Sequence, residues 1–88
     1  MLTRVRVDDY EVWKRTFDSD PAGARKTAKG HRILRSAEEP DELFVQVEFE
    51  SPEDASAARD KLLGSGILDR VDIKSGPTVA ELADLVTY

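Results

Sequence analysis

Two periods of hydrophobicity run through the chain. In "LTRVRV" Thr3, Val5 and Val7 fall on one side and Leu2, Arg4 and Arg6 on the other, and in "LFVQVEFE" Leu43, Val45, Val47 and Phe49 alternate with Phe44, Gln46, Glu48 and Glu50. Alternation of period two marks a half-buried strand, so both stretches are predicted strands. Between them the period lengthens. Tyr10, Trp13 and Phe17 recur at helical spacing and fall within about 60° of arc on a helical wheel, which predicts a helix carrying one aromatic ridge. Asp8 is its expected N-cap, with Glu11 reaching back and Val7 stapling to Val12. "DSDP" interrupts the pattern, and a second helical segment is expected from Pro21 to Lys29, capped by Asp20 at its start and by a left-handed Gly30 at its end.

"HRILRSA" reads as a short strand that the Pro-Asp turn of "EEPDE" joins to "LFVQVEFE", making a hairpin. Ser51 then supplies an N-cap, Pro52 the first helical position and Asp54 an acid in the first turn. With Ala55, Ala58 and Leu62 as its stripe, a helix is predicted from Pro52 to Leu63, ended by "GSG". "TVAELADLVTY" is helix-like in composition, but it follows "GP" and closes a series of strand, helix, strand, strand and helix, so it is expected to be the last strand. The predicted fold class is α+β: a ferredoxin-like βαββαβ antiparallel sheet with both helices on the valine face, in one domain covering residues 1–88.

Length and charge narrow the range of functions. A domain of 88 residues hides only roughly 60 to 65% of its unfolded surface, so its own core is thin and a partner chain would add burial that matters. Acidic residues outnumber basic ones 18 to 13, and the basic residues are scattered, so a phosphate backbone is repelled and no nucleic-acid partner is expected. The absence of cysteine removes disulfides and thiolate chemistry. No apolar run approaches the ~18 residues of a membrane span, and "MLTRVRV" has no signal-peptide core, so the expectation is a cytoplasmic protein with no membrane partner.

"VDDYEVWKRTFD", "GHRILR", "EEPDELFVQVEF" and "SPEDA" together resemble a group of small bacterial proteins in the dimeric α/β-barrel superfamily, which includes the antibiotic-biosynthesis monooxygenases. The likeness covers residues 4 to 63. It implies a homodimer in which two ferredoxin-like sheets face each other to close a barrel, with ligand pockets between each sheet and its helices. It also implies chemistry that needs neither metal nor flavin, in which an electron-rich substrate is activated directly toward oxygen. Members that degrade haem place an Asn, a Trp and a His or Arg in the pocket; Trp13 and His31 match, but the chain contains no Asn, so that set is incomplete.

The candidate site residues each have a structural alternative. Tyr10, Trp13 and Phe17 are ligand-binding candidates, since Tyr and Trp carry polar handles that a dry core must satisfy; the same spacing serves a packed core equally well. His31, the only histidine, is a candidate base or anion hook, or else a surface residue. Arg35 shares a strand face with His31 and Ile33 and is a candidate clamp for a carboxylate or enolate, or else half of an ion pair. Glu48 is expected to pair with Arg4 or Arg6 across the sheet, or to act as a base if desolvated. One histidine with no cysteine and no ligand-spaced acids predicts no metal site, and no cofactor is expected. Two functions follow: a homodimer binding a small, partly apolar organic molecule, as a cofactor-independent oxygenase-like or cyclase- or isomerase-like enzyme, and a non-catalytic dimeric module. A ligand-sized cavity beside Trp13 favours the first and a filled core the second.

Overall fold

A computed structural model describes residues 1–88. Four strands and two helices follow one another as β1 (Leu2–Arg6), α1 (Tyr10–Ser19), β2 (Ala28–Arg35), β3 (Glu42–Phe49), α2 (Pro52–Ser65) and β4 (Asp72–Thr78), with a short 3₁₀ turn (Ile67–Arg70) before β4. The sheet has the order β2-β3-β1-β4 and every pair is antiparallel, an α+β arrangement compatible with the ferredoxin-like plan. Register fixes the faces. Thr3 opposes Val45 and Val5 opposes Leu43, while Ile33 opposes Val45 and Ile73 opposes Val5, so these side chains share one side of the sheet. Val5, Val7, Leu43, Val45 and Val47 form the buried cluster there, and the aromatic ridge of α1 packs on it.

The two helices are set by their caps. Ser51 Oγ accepts from the Asp54 amide at 3.1 Å and Pro52 opens α2, while Gly66 ends it in the left-handed region. Ala55 and Ala58 are the buried face of that helix. In α1 the cap is Asp9, one residue beyond the expected Asp8, and its carboxylate accepts from the Val12 amide at 3.2 Å. Val12 is consequently turned outward, 52% exposed, and does not staple to the buried Val7.

Two expectations are overturned. Pro21–Lys29 is not a second helix: residues 21 to 27 form turns, β2 begins at Ala28, and Gly30 lies within that strand opposite Glu48. The cause is local. Asp20 adopts the left-handed conformation, φ 48° and ψ 58°, ending α1, and its carboxylate accepts from the Arg25 amide at 3.2 Å, folding the chain back where a helix would have run on. The last strand is not "TVAELADLVTY" but "DIKSGPT", and residues 79 to 88 carry no regular structure. Leu82, Leu85, Val86 and Tyr88 of that segment are exposed. β4 reaches β1 only through an irregular register, with shifts on both sides of Arg4, which suits a strand holding Ser75, Gly76 and Pro77.

The expected pairing of Glu48 with Arg4 or Arg6 is also replaced. Arg4 pairs with Glu42 at 2.6 Å, Arg6 with Asp41 at 2.7 Å, and Glu48 with Lys29 at 3.8 Å. Asp41 is the main reason the Arg6 pKa lies above its ordinary value, first by charge attraction and then by the hydrogen bond. No helix is long and apolar enough to cross a membrane.

Candidate ligand-binding site

The ridge of α1 forms a continuous row of rings. Tyr10 and Trp13 lie 6.0 Å apart with planes inclined at 41°, and Trp13 and Phe17 are stacked at 5.1 Å and 23°. All three are half-buried, with the valine cluster beneath them. Cations and an imidazole close the ends. The Arg35 guanidinium lies 4.9 Å from the Tyr10 ring, His31 meets Phe17 edge-on at 5.0 Å, and the Arg25 guanidinium sits 3.9 Å from the Phe17 centroid. Contacts of this kind hold rings in fixed orientations and are worth up to about 2 kcal/mol when desolvated.

Beside this row lies an apolar cavity of about 120 Å³. Trp13 and Phe17 of α1, Val45 and Val47 of β3, Leu62 of α2 and Leu68 of the 3₁₀ turn are among its walls, which also places both helices on the valine face. Its charged side chains are those of Asp20 and Arg25, engaged with each other and with the backbone, and the Met1 ammonium beside it donates to the Val47 carbonyl at 2.8 Å. Arg25 Nε lies 3.9 Å from the Asp20 carboxylate, and Arg25 Nη2 donates to the Phe17 carbonyl. Arg25 is therefore a brace for Phe17 and the end of α1. What remains for an occupant is apolar wall with the stacked indole on one side.

The sequence candidates divide between two places. Trp13 and Phe17 line the cavity; Tyr10, His31 and Arg35 do not. His31 and Arg35 stand on the helix side of β2, opposite Val47 and Leu43, and both are exposed on this edge strand. Four residues of extended chain separate them by about 13 Å, so they meet opposite ends of the aromatic row and share no chamber. Sequence reasoning missed Arg25 and the walls contributed by Ile67, Leu68 and Val71. The signal available for the latter was the apolar pair following "GSG"; for Arg25 there was none, because its role depends on the Asp20 turn.

At the hairpin turn, carboxylate oxygens of Glu39, Asp41 and Glu42 lie within 4.8 Å of one another. Two of them are held by arginines, Asp41 by Arg6 and Glu42 by Arg4, so this cluster works as an ion-pair clasp between β1 and the start of β3. Comparison of the chain with protein-family models, curated proteins and solved structures finds no match.

Proposed function

We propose that the chain is a homodimeric small-molecule-binding protein whose ligand enters the cavity between α1, the 3₁₀ turn and the sheet. The observation that carries this reading is the cavity itself, apolar and open beside Trp13 where a structural core would be filled. Its volume of about 120 Å³ is below the ~300 Å³ of sites that engulf drug-sized ligands, so the enclosed part of a ligand is one ring or a short alkyl group. The dimer is supported by the open side of the sheet, where Leu2, Leu34 and Phe44 are 45, 51 and 42% exposed, and by the resemblance to the dimeric α/β-barrel superfamily with its ferredoxin-like protomers.

The oxygenase- or cyclase-like chemistry of that superfamily is the catalytic extension of this reading. His31 and Arg35 share no chamber and stand about 13 Å apart, which counts against their acting together on one substrate. If one of them is catalytic it is His31, in edge contact with Phe17 of the cavity wall, and replacing it lowers turnover at least tenfold. Binding and catalysis are tested apart. Because Trp13 is the only tryptophan, its emission reports the cavity directly, and titration with phenol or ethylbenzene is expected to shift it saturably. No shift up to the solubility of either compound refutes the binding reading; binding without turnover of phenols, quinols or β-keto acids removes the enzymatic extension.

A further inference from the structure

A second void adjoins the first. An open groove of about 660 Å³ runs between the start of α1 and the 3₁₀ turn, and Trp13, Thr16, Ile67 and Val71 line both it and the apolar cavity. The two differ in character: the groove is walled on its outer side by Arg6, Asp8, Asp9, Arg70 and Asp72. A ligand confined to the cavity would leave this charged wall unused.

Most of those charges are already committed. Arg6 pairs with Asp41 at 2.7 Å, Asp72 with Lys74 at 3.3 Å, and Asp9 caps the Val12 amide. Asp8 and Arg70 are different. Neither takes part in any ion pair of the chain, and neither side chain makes a hydrogen bond within it. One groove thus presents one uncommitted carboxylate and one uncommitted guanidinium, beside a cavity close in size to the ~150 Å³ apolar cavity that takes up benzene in another protein.

The geometry points to a zwitterionic amphiphile as the ligand class: a single ring or short branched alkyl group in the cavity against Trp13, and an ammonium and a carboxylate in the groove at Asp8 and Arg70, as in a free apolar α-amino acid. This rests on the binding site proposed above and adds the chemistry of the head. Arg70 suits the carboxylate because a guanidinium presents parallel donors to two oxygens, and Asp8 accepts from the ammonium. An anionic head alone would face three aspartates, and a cationic head alone would leave Arg70 unmatched.

A series with one skeleton separates head from ring. Ethylbenzene, phenethylamine, 3-phenylpropionate and phenylalanine are titrated into the full chain with Trp13 emission as the readout. Phenylalanine is expected to bind at least tenfold more tightly than ethylbenzene and more tightly than either singly charged analogue. In Asp8→Asn and Arg70→Gln, both exposed positions, the ratio of phenylalanine to ethylbenzene affinity is expected to fall toward one. Ethylbenzene binding with no gain from the zwitterionic head, or a ratio unchanged in both variants, overturns this inference and leaves the apolar site standing. If no member of the series shifts Trp13 emission, the site itself is refuted as well.

Discussion

Arg25 braces Phe17 twice, with its guanidinium 3.9 Å from the ring centroid and its Nη2 donating to the carbonyl of the same residue. The side chain is only 17% exposed, so these contacts are poorly replaced by water. Arg25→Leu removes one of the two donors to the Phe17 carbonyl, leaving only the Asp20 amide at 3.1 Å, and frees the ring that walls the cavity. A hydrogen bond from a charged donor contributes about 1.5 to 3 kcal/mol and a desolvated cation–π contact adds to it, so a loss of about 2 to 4 kcal/mol is expected. Urea unfolding reads this as a lower midpoint at unchanged slope. Arg25→Lys, which keeps a charge over the ring but lacks the fork, should recover part of the loss.

Gly76 is required by two constraints at one point. Its φ of 85° is one that L side chains rarely adopt, and a Cβ there would collide with the carbonyl oxygen of Leu2 on the neighbouring strand. Gly76→Ala therefore strains the backbone and pushes β4 from β1, a cost expected to exceed about 1 kcal/mol. Gly30, where a Cβ meets nothing within 4 Å, is the control, and Gly30→Ala should leave the unfolding midpoint nearly unchanged.

The contrast between β3 and β4 explains how far the fold was legible. In β3 four apolar residues alternate without interruption, and Leu43, Val45 and Val47 are buried as the alternation requires. β4 has only Ile73 as a strong apolar residue before "KSGP", and its place is set by pairing with β1, which no local pattern encodes. The same holds for Pro21–Thr27, where Lys and Ala favour helix but the left-handed Asp20 and its bond to the Arg25 amide win. In the site, helical spacing located the row Tyr10, Trp13, Phe17, and strand alternation put His31 and Arg35 on the helix side. Alternation says which way a side chain points and nothing about which void it reaches. One wall of the cavity is a 3₁₀ turn more than forty residues away in sequence, so its outline emerges only from the packed fold.

The Asp18 carboxyl should titrate below its ordinary value of 3.8, chiefly because it accepts a hydrogen bond from Lys14 Nζ at 2.6 Å, with the charges of Lys14, Arg25 and His31 adding to the effect. A carboxyl whose pKa is lowered by folding stabilises the fold above its unfolded pKa, and that contribution fades as pH falls through the lowered value. Carboxyl carbon shifts followed by NMR should place the midpoint below 3.8, and Lys14→Met should move it back up. The pair is exposed, so the titration is a better readout than the melting temperature.

The open face of the sheet makes the sharpest demand on assembly. Phe44 stands directly opposite Leu34 on one side and Arg4 on the other, with the Arg4 guanidinium 5.6 Å from its ring, and Leu2 is its diagonal neighbour. An apolar row on a face without helices is a cost to a chain in which only nine residues are buried, and a two-fold copy of the same face would cover it. Such an interface is isologous, so Phe44 is placed near its own copy or near Leu34 of the other chain, and a charge at this position is introduced twice. Light scattering should give twice the 9.8 kDa mass of the chain, and Phe44→Glu should shift the population to monomer at micromolar concentration. Phe44 lies outside the buried valine cluster, and a glutamate there can still face Arg4, so circular dichroism should show the fold retained in that monomer. A wild-type chain that stays at the monomer mass over a hundredfold range of concentration would refute the dimer, and a Phe44→Glu dimer would move the interface to another face.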